Sequence, residues 1–594
     1  MTNHVQSKYL PQSRRPLQIL LLAMGICALA RAETQGFEPV TTEMLVSPDP
    51  DDWLMLSRTY DEQRFSPLDQ VDKDNAGQLR MAWTRGLPAG TQSTIPIVYA
   101  GVMYVVSPVN SVIAVDAATG DLIWEYERAM DPGIALPLIA STSSKSLAIY
   151  QDMIYYTSPD GFLVAIDARD GMVRWEVESF VRYSGASNTS APIVVEGKVI
   201  TARACKDQAN CYVAAHDALT GKEVWKFFTA AAEGEPGGDS WGNVPTAKRV
   251  ASLWGLPGSY DPIKRLIFWG TANPQPYTRL SRHGSADGTS RTAPADLYSN
   301  STLALHAETG ELAWYYQHLP GDDWDADHTH ERVLVRTSVN PDPDEVKWIN
   351  PNLRPGEERD VVVHIGEGGG MWVLDQSSGE FLWARPFPVD VPEFNISDID
   401  VETGTTEINW DNVFKKDKDS VITCFHNTRS YWPMAYHPGT NSIYVAFHDY
   451  CLSMTADLSS PSGYTDRSGR LRPGVTPDKA YALAKVNLTT GKLTRLYEGG
   501  IPGNGAVLAT AGDLVFWGDM DRRFRAFDAE DGEILWEAVL GGVIQMSTIT
   551  YAVDGKQYIA VMTGDGNSAT RNPVRLAGLT VPKGHNAIYA FALP

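Results

Sequence analysis

Seven copies of one short phrase run through the chain, and they constrain its fold more than any single residue does. The phrase reads apolar-x-Asp-x-x-x-Gly-x-x-x-Trp and occupies 114–124, 165–175, 215–225, 304–314, 373–383, 485–495 and 526–536. It drifts at His306, Lys485 and Asn487, and the sixth copy ends in Arg495 instead of Trp. Self-similarity at a spacing of roughly fifty residues, stretched where insertions intervene, marks an array of like supersecondary units.

The chemistry of the phrase says what each unit is. Two apolar-rich strands flank an Asp-x-x-x-Gly turn, in which the carboxylate can accept from amides of its own turn and Gly supplies positive φ. The Trp then lies between neighbouring sheets as a large apolar filler. Asp116, Asp167, Asp217, Asp375 and Asp528 are therefore expected to be structural. Residues 75–83 resemble an inner strand without a predecessor, and the chain ends on a strand-like run at 586–593. Pairing these two would close a ring, leaving only short protected edges. The expectation is an all-β fold, an eight-bladed β-propeller, as one domain over 33–594.

Residues 1–32 read as a secretory signal peptide, with Arg14 and Arg15, an apolar run at 17–30 and a small-x-small site at 30–32. That run is too short for a membrane span, so no integral membrane segment is expected in the mature chain. Pro16 and Gln18 fit a twin-arginine signal poorly. The segment carries Lys8, Arg14, Arg15 and Arg31 and no acid, so its removal takes the net charge from -22 down by four to -26. Such acidity disfavours nucleic acid and suits a basic partner. Export would also remove Cys27, leaving Cys205, Cys211, Cys424 and Cys451. An even count in an exported chain implies disulfides, and the local pairs are Cys205–Cys211 and Cys424–Cys451, each around one blade. Their spacing matches no zinc pattern, and the sequence contains no Cys-x-x-Cys-His for a c-type haem.

Candidate chemistry lies where the repeats are interrupted. The densest run is 321–331, with Asp322, Asp323, Asp325 and Asp327 followed by His328, His330 and Glu331. Four carboxylates so close repel one another, so the run is expected to be either a solvated loop or one organised by a cation. His328 and His330 also have the spacing of a His-x-His zinc pair.

The ordered series of repeats, with segments 66–71, 269–274, 314–320 and 509–516, resembles the pyrroloquinoline quinone (PQQ) dependent dehydrogenases over almost the whole mature length. Inserts at 234–243, between Cys205 and Cys211, and at 379–385 look closest to the sorbose/sorbosone dehydrogenase branch. The resemblance implies a periplasmic enzyme that oxidises an alcohol, polyol or sugar-type alcohol by hydride transfer to metal-bound PQQ. Asp325 would be the general base that takes the alcohol proton. Electrons would pass to a soluble cytochrome c. The implied metal ligands are Asp207, Asn273, Asp325 and Asp327; Asp207 stands where the family usually has Glu. Calcium is the first expectation, and Asp327 allows a lanthanide. The implied cofactor contacts are Lys145, Thr189, Trp254 and Arg429, since a flat tricarboxylate needs aromatic faces and cations.

Two departures stand out. Ile139 and Ala140 occupy the place of the adjacent cysteine pair of methanol-type members, and Glu367 stands where relatives place Lys or Arg near the quinone oxygens. The rival class is a non-enzymatic propeller scaffold, which has no use for Asp325, Asn273, Thr189 and Trp254 together. Insertions at 279–300 and 388–424 are expected to roof the site and choose the alcohol. A sugar alcohol, a secondary alcohol on a larger natural product and a polymer such as polyvinyl alcohol all remain open.

Overall fold

The computed structural model describes residues 37–594 except 109–110, 130–143, 180–186, 206–209 and 567–569. The signal-peptide expectation at 1–32, Ile139, Ala140 and the ligand expectation at Asp207 therefore lie outside the described residues.

The repeats become eight sheets, each with a four-stranded antiparallel core: 97–127, 148–178, 193–228, 259–317, 333–385, 435–499, 508–539, and 549–592 completed by Arg80–Gly86; Trp348–Ile349 adds a fifth strand to the outer edge of the fifth sheet, and Phe65–Ser66 pairs parallel with the first strand of the seventh. Within the four-strand core of the first seven sheets strand order follows chain order, from a buried first strand such as Ile97–Tyr99 to a largely exposed fourth such as Leu122–Glu127, while the eighth takes its outer strand from Arg80–Gly86. The ring closes where Arg80–Gly86 pairs antiparallel with Ala587–Ala592. The closing strand is thus the outer edge of the last sheet and not an inner strand, because Trp83 takes the same outer-strand place as the repeat tryptophans.

Trp docking fixes each sheet to the next. The Trp83, Trp124, Trp225 and Trp314 indole N–H groups donate to the carbonyls of Ala117, Ala168, Ala307 and Gln376 in the following sheet, at 2.9–3.1 Å. Each ring lies over that sheet's turn glycine: a Cβ on Gly120, Gly171, Gly221, Gly310 or Gly379 would stand 2.4–2.7 Å from the ring of Trp83, Trp124, Trp175, Trp225 or Trp314. Glycine is demanded twice over, by positive φ and by the aromatic above it. In the sixth sheet Arg495 turns to Asp449 and Glu498, and Leu496 covers Gly532 instead. The repeat carboxylates are structural as expected: Asp116, Asp217, Asp375 and Asp528 accept from amides two or three residues ahead.

Both expected disulfides are present. Cys424 and Cys451, however, do not sit around a blade. They are directly opposite residues in a separate three-stranded sheet of Ser420–Cys424, Tyr450–Ala456 and Tyr464–Leu471. This cap sheet is built from chain inserted before and within the sixth blade, and it carries residues to the site described next. Among the described residues, no helix is long and apolar enough to cross a membrane.

Candidate active site

The candidate residues reach one place because most occupy the same topological position, the few residues leading into the innermost strand of a sheet. Lys145 precedes Ala148–Tyr150, Thr189 precedes Ile193–Val195, Trp254 precedes Ser259–Asp261, and Asp325 and Asp327 precede Val333–Val339. Asn273 follows Leu266–Gly270.

Trp254 joins the two halves of the site. Its carbonyl accepts from Lys145 Nζ at 2.7 Å and from Thr189 Oγ1 at 2.9 Å, while Lys145 Nζ stands 5.4 Å from the centre of its ring. Its indole N–H donates to Asp327 Oδ2 at 2.5 Å. Asp327 Oδ1 accepts from the Asn273 backbone N–H at 2.8 Å, and the Asn273 side-chain amide donates to Asp325 Oδ1. That leaves the Asn273 amide oxygen as the atom able to bind a cation.

The acidic run is neither solvated nor uniform. Asp322 accepts from the Trp324 and Ala326 amides at 2.7 and 2.8 Å, and Asp323 from those of Arg279 and Phe414 at 2.6 and 2.8 Å. These two buried carboxylates organise the loop through its backbone. They bracket Asp325, whose φ of 63° is a left-handed conformation costly for a non-glycine residue and typical of functional strain. Asp325 and Asp327 face the site. Burial and then the charge of Asp325 push the Asp327 carboxyl up from its ordinary range.

His328 and His330 do not form a zinc pair, because their rings go to different places. His328 Nδ1 lies 3.0 Å from His364 Nε2 in a buried cluster with His318 and Trp372. His330 packs edge-on to Trp254, with its Nε2 3.8 Å from Glu367 Oε2. Burial, then Asp327 and Asp325, raise the Glu367 carboxyl well above the usual carboxylate range. Arg429 is a fully buried cation that pairs with Glu331 and donates to the Ile365 carbonyl at 3.0 Å, so its charge serves Glu331. Lys145, Thr189, Trp254, Asn273, Asp325 and Asp327 come together; Arg429 is not among their direct contacts.

The site also has partners that the sequence did not reveal. Arg467 NH1 lies 2.6 Å and Tyr464 OH 3.0 Å from Asp325 Oδ2, both from the cap sheet, and Arg467 NH2 lies 2.5 Å from His426 Nε2. Asn504 and Gln545 lead into the innermost strands of the last two sheets, and Tyr431 OH donates to Gln545 Oε1 beside Trp254. Their common offset before each first strand was the available signal.

The geometry accommodates a flat polycarboxylate. Lys145 is 2 % exposed, its described hydrogen bonds go only to carbonyls, and burial lowers its pKa to about 7, so among the described residues no anion holds it charged. Both nitrogens of His330, both amide atoms of Asn504, Gln545 Nε2 and Glu367 Oε2 are buried without hydrogen-bond partners, which marks them for a ligand. Among the described residues no three His, Cys, Asp or Glu side chains form a metal-holding group alone. The donors present, two carboxylates and an amide, are all oxygens and suit a hard cation.

A family profile described as "Glucose/ethanol/alcohol dehydrogenase, beta-propeller domain", for PQQ, matches residues 53–393 and 480–559. The chain is 30% identical over 596 residues to the quinohemoprotein alcohol dehydrogenase ADH-IIG of Pseudomonas putida, covering 94% of this chain and 78% of that one. It is 26% identical to the quinoprotein alcohol dehydrogenase PedH of the same species, covering 93% of each. Among solved structures, that of ADHIIG superposes with a TM-score of 0.79 at 27% identity, covering 94% of this chain and 83% of the other. A europium-containing methanol dehydrogenase superposes at 0.77 and 25%, covering 93% of this chain and all of that one.

Proposed function

The chain belongs to the PQQ-dependent alcohol dehydrogenases, and we propose that it oxidises an alcohol or polyol with Asp325 as the general base. The observation that carries this reading is the continuous contact path from Lys145 and Thr189 through Trp254 to Asp327, Asn273 and Asp325.

PQQ would rest against Trp254 with a carboxylate at Lys145, and Asp325, Asp327 and the Asn273 amide oxygen would hold its metal, with Asp207 as a further candidate. When bound, the metal-activated quinone supplies the acceptor for the electron pair that leaves the alcohol carbon. The protein's own work is to place a carboxylate at the substrate hydroxyl and to keep that carboxylate oriented. Asp325 accepts on Oδ1 from Asn273 and on Oδ2 from Tyr464 and Arg467, so its plane is fixed. A base held within hydrogen-bond reach of a hydroxyl contributes about 10²–10⁴ in rate. Asp327 is tied at both oxygens, which keeps a second carboxylate next to Asp325, where a bound cation would relieve their repulsion.

The metal is calcium on this reading, and Asp327 supplies the additional hard donor that a lanthanide would use. The sequence has the N-terminal features of an export signal, so the mature enzyme, residues 33–594, works in the periplasm. Its electrons pass to a soluble cytochrome c on this reading, since the net charge of -22 suits a basic partner. The test is reconstitution of the purified protein with PQQ and either calcium or a light lanthanide, following dye reduction across an alcohol panel. PQQ retention with alcohol-dependent dye reduction is expected; neither with either metal overturns the proposal, and undiminished turnover in Asp325→Ala overturns the base.

A further inference from the structure

We propose that Arg467 and Tyr464, carried by the cap sheet, are positioning residues that hold the Asp325 carboxylate in its reactive orientation, and that the cap sheet thereby completes a site the propeller alone leaves unfinished. The inference rests on the reading of Asp325 as the base.

The backbone register explains how both side chains reach one oxygen. Residues three apart on a regular strand point to opposite faces. Here the strand Tyr464–Leu471 carries an irregularity: Tyr464 pairs with Ala456, Thr465 with Thr455, and Arg467 with Met454, so position 466 is skipped. Ala456 and Met454 are two apart and share a face, so their partners Tyr464 and Arg467 share one as well. One extra residue in a strand is a known device for re-aiming side chains beside a site. The result is a closed triangle, with Arg467 NH1 2.9 Å from Tyr464 OH and both on Asp325 Oδ2. The other arm of the guanidinium is held at His426 Nε2.

The strand is fixed from behind. Asn572, on the helix Arg571–Leu576, donates to the Arg467 carbonyl at 3.2 Å and accepts from the Gly469 amide at 3.2 Å, and Arg575 NH2 donates to the Gly469 carbonyl at 2.6 Å. The disulfide Cys424–Cys451 ties the neighbouring strands of the same sheet. A merely decorative cap would need neither the skipped residue aimed at Asp325 nor anchorage at the residue that carries the guanidinium. Asp325 sits at a left-handed φ on a loop, so its backbone alone leaves the carboxylate free to rotate about its side-chain bonds; the three donors remove that freedom.

The experiment compares Arg467→Met, Arg467→Lys, Tyr464→Phe and Asp325→Asn in protein reconstituted with PQQ and calcium. It measures PQQ affinity by quenching of tryptophan fluorescence, and kcat and KM separately. A misplaced catalytic group costs on the order of 10²-fold, so Arg467→Met is expected to lower kcat by about 10²-fold, with PQQ affinity within about twofold of the parent. Arg467→Lys recovers part of the loss, and Tyr464→Phe loses about tenfold. If Asp325→Asn abolishes turnover while Arg467→Met and Tyr464→Phe leave kcat unchanged, the positioning role is overturned and the base stands. If Asp325→Asn retains turnover, the base itself has failed. A loss in Arg467→Met matched by lost PQQ affinity, with no recovery in Arg467→Lys, reduces the cap to a structural role and also overturns the proposal. Should Arg467→Met not fold, Tyr464→Phe, which removes a single hydroxyl, decides on the same criteria.

Discussion

Replacing Gly310 by alanine tests whether aromatic docking on a bare backbone holds the ring together. Gly310 has φ +73°, and its new Cβ would stand 2.4 Å from Trp225 Cε3 and 2.5 Å from Cδ2. The left-handed backbone alone costs a non-glycine residue about 1–2 kcal/mol. Ordinary carbon contacts begin near ~3.5 Å, so the indole must retreat by roughly 1 Å. That retreat breaks the 3.1 Å hydrogen bond from Trp225 Nε1 to the Ala307 carbonyl, worth about 1 kcal/mol, and forfeits part of the packing of a buried tryptophan, about another 1 kcal/mol. Gly310→Ala should therefore destabilise by about 3–4 kcal/mol. Gly555→Ala is the control, because Gly555 has φ +74° and nothing within 4 Å of its new Cβ; it should cost only the backbone term, about 1–2 kcal/mol. In a Trp225→Ala background the Gly310→Ala cost should fall to that of the control. Urea unfolding of the four proteins gives the coupling directly, expected at about 2 kcal/mol. Additivity of the two changes within about 0.5 kcal/mol would refute the docking account.

Other consequences are accessible to simpler measurements. Burial lowers Lys145 to about 7 from the usual 10.5, so between these values the unfolded chain holds a proton that the folded protein has shed, and stability of the apoprotein should rise with pH from 7 towards 10; Lys145→Met should flatten that rise in pH-dependent denaturation. Binding of PQQ near pH 8 should take up a proton at Lys145, seen by calorimetry in buffers of different ionisation enthalpy and lost in Lys145→Met. Removing Cys424 and Cys451 together by serine releases a loop of 27 residues, a loss of about 3–4 kcal/mol in the chain-entropy account; a lower unfolding midpoint together with lower kcat is expected, and an unchanged kcat would separate the disulfide from the site. Asp327→Ala should abolish lanthanide-supported turnover while retaining much of the calcium-supported rate; equal loss with both ions would refute the role of Asp327 in metal choice.

The propeller was legible because its unit repeats: each Asp, Gly and Trp of the phrase has a local reason to be there, and seven such reasons in order leave few folds. The site was legible only in part. Lys145, Thr189, Trp254, Asn273, Asp325 and Asp327 were reached through a resemblance, and the structure joins them. Asp322 and Asp323 were misjudged as charge to be solvated or neutralised by a cation, because their true partners are backbone amides, which a sequence does not display. Arg467 and Tyr464 were missed for another reason. They lie in an insertion without a repeat, and their convergence on Asp325 depends on one skipped residue in a strand pairing. Glu367 stands where relatives place a cation, and its burial, which raises the carboxyl, is a feature that the sequence alone does not display.

The closure of the ring by Arg80–Gly86 on Ala587–Ala592 sets a timetable. A chain emerging N-terminus first can assemble seven sheets from local segments, but the early strand at Arg80–Gly86 has to wait, unpaired, until Ala587–Ala592 arrives. A chain lacking Ala587–Ala592 would leave Arg80–Gly86 and Lys556–Thr563 each with an unpaired edge, the form most prone to association.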